Sequence, residues 1–312
     1  MSAVDVTGGR QGAWHQSGLS TLLDGCARQY ALEYVLNIPR GEKPSTVVGT
    51  AMHHAIEVHE QARIDGQDTP DYDQFVAAAH EELERLLPEI TEETWGHSKA
   101  DADDLREQVR WVCWNWWNYE LKATGRSMRD EVLDLTPVSL ETYFRVPLVP
   151  GTLPIGGSAD ALYEHPELEG HWILVDWKTA GRLSDYSPEK AQATKWSQAT
   201  QYSVGAVLSE HLPPDSLDVL TFRYGAVRKE KVEGTRKEGA RFADVDIQLR
   251  HVELLRDRIL AAEEEVSKGE FLPDPSYRFC KPGLCTYYDR CQVSGELAKP
   301  MSQLLPVVTE MH

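Results

Sequence analysis

Long apolar runs are missing from this chain: nowhere does it hold the roughly 18 apolar residues that a membrane helix needs. The opening stretch MSAVDVTGGRQGAWHQ also lacks the basic segment followed by an apolar one that marks a secretory leader, so a cytoplasmic protein with no membrane partner is expected. Cysteine is sparse, five in 312 residues, and in a chain of this character the five do not read as a disulfide framework. No internal repeat is present. Positive charge is in deficit, with 32 Lys and Arg against 50 Asp and Glu and a formal net charge of −18. That balance opposes a nucleic-acid partner on average, because phosphate binding needs local positive potential. Net charge is not its distribution, however. Much of the acid lies between Glu60 and Asp134, whereas RYGAVRKEKVEGTRKEGAR, Arg223 to Arg241, holds seven Lys and Arg against three Glu. That strip suits either DNA phosphates or a solvated loop.

What is present is an ordinary globular composition, 41% hydrophobic and 26% charged, in a chain long enough to bury a full core. Residues 1–16 are Gly-rich and polar and read as a flexible N-terminus. SGLSTLLDGCARQYALEYVL predicts a helix with a serine cap at Ser17 or Ser20 and a break near Gly25. STVVGTAMHHAIEVHEQARIDG predicts an amphipathic helix, with Ala51, Ala55, Ile56 and Val58 among its apolar positions. From Tyr72 to Lys122 the pattern stays helical, with breaks near Pro88 and Gly96, as a helical insertion over about 60–130 would. After Thr136 the period changes to that of strands: VSLETYFRVPLV, LPIGGSADALYE and HWILVDWK. A helix from Ser187 to His211, a strand in LDVLTFRYGAV and a long helix from Asp244 to Gly269 complete the chain. This order implies an α/β fold with a central mixed sheet flanked by helices.

The chemistry concentrates at HWILVDWKTAG. In an extended chain side chains alternate, so Asp176 and Lys178 share a face and Trp177 points to the other. Asp160, in IGGSADAL, lies on the preceding strand, where Gly156 and Gly157 permit close backbone approach. Paired carboxylates repel unless a cation or proton intervenes, and a shared Mg²⁺ or Mn²⁺ is one natural reason to tolerate them. Such an ion polarises a phosphoryl oxygen and helps deprotonate water, with Lys178 placed to orient that water or stabilise developing charge. Two unrelated, hydrated strand-end acids and a simple salt bridge would produce the same letters. On the earlier helix, His53 and Glu57 are four apart and share a face, so Glu57 could fix the His53 tautomer or approach the same ion. His54 faces elsewhere and His59 is expected to be exposed.

Cys280, Cys285 and Cys291 lie close together in FCKPGLCTYYDRC, with Cys26 far away, and thiolates gathered in this way hold zinc or an iron–sulfur cluster unless they are merely packed. Cys113 reads as a small buried hydrophobe. Trp111, Trp114, Trp116 and Trp117 offer either core area or a base-stacking platform, and their spacing favours the core. Arg182, Arg223, Arg228 and Lys229 are candidate DNA contacts, Arg182 standing closest to Lys178 in sequence.

Taken together, these residues resemble the PD-(D/E)XK nuclease superfamily, in particular its RecB-like exonuclease branch with a four-cysteine iron–sulfur cluster, the CRISPR-associated and phage exonuclease type. The resemblance is collinear from Ser17 to Gln292 and implies a single nuclease domain over 17–292 with a tail over 293–312. It implies a restriction-endonuclease-like fold, the terminal segments being joined by the cluster. It carries a G-x-x-x-H onto Gly49 and His53, a G-x-x-D onto Gly157 and Asp160, the acid-x-lysine pair onto Asp176 and Lys178, and a Q-x-x-x-Y onto Gln198 and Tyr202. By that carry-over His53, Asp160, Asp176 and the Trp177 carbonyl bind Mg²⁺ or Mn²⁺, while Gln198 and Tyr202 lie beside the site and contact DNA. Cys26, Cys280, Cys285 and Cys291 would hold a [4Fe–4S] cluster. The residue before Asp160 is Ala159 rather than the superfamily's proline, as is common in this branch. The implied activity is exonucleolytic DNA hydrolysis in recombination, repair or end processing, alongside a single-strand annealing protein or helicase. A non-catalytic DNA-binding scaffold and a structure-specific endonuclease remain as alternatives.

Overall fold

The structure, a computed structural model, describes residues 12–38, 43–90, 98, 100–232, 237–281, 284–285, 287–288 and 291. It separates into two compact units, one of residues 42–143 and 158–248, the other of 1–41, 144–157 and 249–312.

A five-stranded mixed sheet, most of whose residues belong to the first unit, runs in the order β1 (Thr136–Val146), β2 (Ile155–Glu164), β3 (Trp172–Ala180), β4 (Leu220–Arg228), β5 (Ala240–Val245). β2 and β3 pair antiparallel, β3 and β4 parallel, β4 and β5 antiparallel. The parallel pair requires a crossover, which α7 (Pro188–Thr194) and α8 (Trp196–Leu208) supply. On one sheet face α3 (Pro44–Ile64), α4 (Tyr72–Leu86) and α5 (Ala102–Asn118) bury Val48, Met52, Phe75, Leu83 and Trp116 with Val175 and Trp177. On the other, Ala191, Ala199 and Ala206 pack with Leu162, Leu174, Phe222 and Tyr224. The helices begin where their sequences allow. Pro44 opens α3, and Asp71 and Asp101 cap α4 and α5 by accepting the backbone N–H of Gln74 and Asp104, each at 2.9 Å. α6 (Met128–Leu133) leads into β1.

Several expectations need correction. Arg223–Arg241 is not a loop throughout: it supplies the rest of β4 and the start of β5, with residues 233–236 outside the described ones. The last helix, α9 (Leu249–Lys268), consequently starts later than Asp244. The crossover is two helices broken at Lys195. His59 is fully buried, not exposed. Its Nδ1 lies 2.7 Å from Glu60 Oε1, and Arg63 reaches Glu60 Oε2 at 2.6 Å and the carbonyls of Val132, Leu133 and Leu135, so the buried charges are compensated. Trp116 is fully buried and stacks on Phe75 with Trp117 packed beside it, while Trp111 is half-buried and Trp114 exposed, so half of the tryptophan run joins the core.

The second unit contains α1 (Gln16–Leu23), α2 (Ala27–Tyr30), a π-turn over Ala31–Val35, and α9. His15, rather than Ser17 or Ser20, is the N-cap of α1. Trp14 bridges to Ile155 and donates its indole N–H to Glu263 at 2.8 Å, and Arg258 forks onto Asp24.

Candidate active site and cysteine pocket

The last ladder pair of β2 and β3 is Ala161 opposite Val175. In that register the next pair would be Asp160 opposite Asp176. The ladder stops there instead, and the Asp160 carboxylate accepts the Trp177 N–H at 2.5 Å. Asp176 is almost fully buried; Lys178 Nζ stands 2.6 Å from its Oδ2 and Gln198 Nε2 lies 3.4 Å from its Oδ1. His53 comes from α3, its Nδ1 3.6 Å from Asp160 Oδ1 and its ring beside the main chain of Trp177. Gly49, one helical turn earlier, makes that approach possible: a Cβ there would sit 3.3 Å from Thr179 Oγ1. Trp177 points away from the acids. Its indole spans Gly225, where a Cβ would come within 2.2 Å of Cε3 and Cζ3, and its ring centroid is 6.0 Å from that of Phe242.

The electrostatics follow from two acids sharing a largely buried corner. Burial, and then the Asp176 charge, hold the Asp160 carboxyl well above the usual carboxylate range. Burial alone would lower the Lys178 ammonium, but the Asp176 and Asp160 charges outweigh it and the net shift is upward. Burial and then the Lys178 charge lower His53. Burial and then Asp176 push the Tyr202 hydroxyl up to about 12, so it keeps its proton at neutral pH. The donor set of imidazole, carboxylates and main chain suits a hard divalent cation. As placed, no three His, Cys, Asp or Glu side chains among the described residues are gathered tightly enough to enclose an ion.

Other expected residues lie elsewhere or are otherwise engaged. Glu57 is exposed and near His54, at 3.9 Å, not on His53. Arg223 forks onto Asp244 at 2.6 and 2.9 Å, and Arg228 donates to the Glu238 and Gly181 carbonyls. Lys229 Nζ reaches the Ser45 carbonyl at 2.5 Å, and Arg182 is exposed. Glu141, which no sequence motif marks, bears on both His53 and Asp160 through its charge; its φ of 46° in mid-strand is a backbone property that the sequence does not show. Tyr186, Lys195 and Tyr224 also border the site without any sequence signal to mark them.

In the other unit Cys26, Cys280, Cys285 and Cys291 line one pocket with Arg28, Tyr277 and Tyr287. Burial raises the Cys280 and Cys291 thiols, the neighbouring sulfurs adding to it. The donors fit a group held by thiolates, which would have to ionise on binding it. Cys113 is buried on α5, its thiol pushed up to about 12 by burial.

The sequence matches the PD-(D/E)XK nuclease superfamily over residues 14–292. The chain belongs to that superfamily. Membership makes this a nuclease fold with DNA as the implied substrate and divalent metals as the usual cofactors. Among solved structures, a "putative exonuclease" from Eubacterium rectale is similar to this PD-(D/E)XK chain with a TM-score of 0.53 and 14% identity, covering 94% of this chain and 91% of that one. At that identity the likeness shows the fold alone. No curated protein matches the sequence. Among the described residues of this superfamily member, no helix is long and apolar enough to cross a membrane.

Proposed function

We propose that this protein is a metal-dependent deoxyribonuclease that digests DNA from an end by hydrolysing phosphodiester bonds. The observation supporting this reading is the meeting of His53, Asp160, the Trp177 main chain and the Asp176–Lys178 pair where β2 and β3 part. His53, Asp160, Asp176 and the Trp177 carbonyl are the residues to hold Mg²⁺ or Mn²⁺. Such an ion, when bound, polarises the phosphate and makes water a better nucleophile. Burial and the Asp176 charge raise the proton affinity of the Asp160 carboxyl, so any proton it holds must leave for it to ligate. Lys178 keeps its proton at neutral pH, so it acts as a charge rather than a base: it orients water and stabilises the negative charge growing on the phosphoryl oxygens. Gln198 steadies the Asp176 carboxylate, and Tyr202 offers a protonated hydroxyl to the substrate. Arg182, exposed just past β3, is the preferred phosphate contact among the outlying basic residues.

The four-cysteine pocket is proposed to hold a [4Fe–4S] cluster with a structural role, tying the N-terminal helices to the C-terminal segment; zinc is the competing occupant. Recombination, repair or end processing is the setting, with a single-strand annealing protein or helicase as working partner. Mn²⁺-dependent digestion of end-labelled DNA tests the reading. Wild type should release labelled mononucleotides or short products, while Asp176→Ala and Lys178→Ala should lose about 10²-fold or more, the scale of one lost charge-stabilising group. Equal activity in all three proteins sinks it. Cutting of covalently closed circles favours an endonuclease. Anaerobically purified protein should be brown and contain iron, and colourless protein with stoichiometric zinc refutes the cluster.

A further inference from the structure

The crossover between β3 and β4 breaks at Lys195, where φ is −118° and ψ is 4°, although no glycine or proline is there to break it. The Tyr224 hydroxyl lies 3.1 Å from the Lys195 carbonyl and 3.3 Å from Gln198 Oε1, and Gln198 reaches Asp176. The main chain of Lys195 is thus tied to the acid that Lys178 faces. Its ammonium stands 4.4 Å from the Tyr186 ring centroid and 6.0 Å from that of Tyr224. No carboxylate pairs with it among the described residues, and Asp185, whose charge reaches it, is already paired with Lys190. Burial and then repulsion from Lys178 lower its affinity for a proton. A second cation resting on π faces close to Lys178, without an anion of its own, is arranged for one supplied from outside. On a chain with a net charge of −18, such a cation is a local exception.

We propose that Lys195, steadied on Tyr186, binds the DNA backbone phosphate adjoining the one that is cut. The inference rests on the nuclease reading above and adds to it the register of the strand: two lysines holding successive phosphates fix which linkage faces the acids. The attraction is charge-to-charge and carries no base preference.

The test pairs oligonucleotide chemistry with substitution. A methylphosphonate at the linkage adjoining the scissile one removes the proposed partner's charge, and wild type should cut that substrate about 10- to 100-fold less efficiently, the scale of a charge-assisted hydrogen bond. Lys195→Met should lose a similar factor on the unmodified strand, mainly through KM, and lose little more on the methylphosphonate. Lys195→Arg should recover most of it. For Lys195→Met with Ca²⁺ in place of Mn²⁺, the slope of log Kd against log salt should fall by about 0.9 on duplex or about 0.7 on single strands. If wild type cuts the methylphosphonate strand as well as the natural one, the assignment is wrong, and no variant is needed to see it. Equal additional losses in wild type and Lys195→Met also overturn it. If wild type cuts no DNA, both readings fall; if wild type cuts DNA and Lys195→Met behaves identically, only this one does.

Discussion

Adding one methyl group at Gly225 is the most direct test of how the sheet holds the site. Gly225 stands in register with Trp177 on one side and Phe242 on the other, and the Trp177 indole covers it. In Gly225→Ala the new Cβ would lie 2.2 Å from two ring carbons and 3.3 Å from Phe242 Cε1. Carbon pairs prefer about 3.5–4.0 Å, so the indole must retreat by well over 1 Å. It has nowhere to go, since Trp116 packs edge-on against it with centroids 6.1 Å apart. Overpacking of this kind costs about 1–3 kcal/mol, and the enclosed ring places this case at the top of that range. At about 2–4 °C per kcal/mol the melting temperature should fall by roughly 6–12 °C. Activity should drop further than stability implies. Trp177 lies between Asp176 and Lys178, and a displacement of about 1 Å at reacting groups costs about 10²-fold. Urea unfolding of Gly225→Ala, Trp177→Leu and the double variant checks the reasoning. Trp177→Leu makes room for the methyl, so the two losses should fall short of additivity by about 2 kcal/mol. A single variant within about 0.5 kcal/mol of wild type, or strict additivity, would refute it.

Further outcomes follow from the site's charges. Because Asp160 holds its proton more tightly folded than unfolded, it subtracts stability as pH rises above the unfolded carboxyl value; metal-free Asp160→Asn should therefore melt above wild type at pH 7. Mn²⁺ at 100 times its Kd should stabilise wild type by about 2.7 kcal/mol and leave Asp160→Asn nearly unmoved; a wild type indifferent to Mn²⁺ in calorimetry contradicts the metal assignment. Burial lowers Lys229 from 10.5 to about 8. Between those values the unfolded chain holds a proton that the folded one has released, so wild-type stability should gain on Lys229→Met as pH rises from 8 to 10.5, and parallel denaturation profiles would count against this.

The parts of this architecture written in local pattern were legible. β1 to β4 follow from alternation and turn residues, and α3 from its apolar stripe. β5 was hidden because it carries a charge on each face: Arg241 closes the basic strip and Asp244 reads as the start of the last helix, yet Asp244 is there to pair with Arg223 across the ladder. His59 looked like a surface residue because its compensation, Glu60 and Arg63, is recognisable only once the helix is packed. At the site, the spacing of Asp176 and Lys178 fixes a shared face, whereas Glu57 was misplaced because four-residue spacing names neighbours without saying which way they turn. Lys195, Tyr186 and Tyr224 converge from separate segments and leave no mark in any one of them.

The partnership of Trp14 with Glu263 spans 249 positions of the chain, and Asp24 waits almost as long for Arg258. During synthesis at about 5–20 residues per second, the aromatic N-terminal segment must therefore emerge and linger for roughly 10–50 s before the helix that receives it exists. Nascent chains stalled short of Leu249 should consequently be the ones that chaperones and proteases find first.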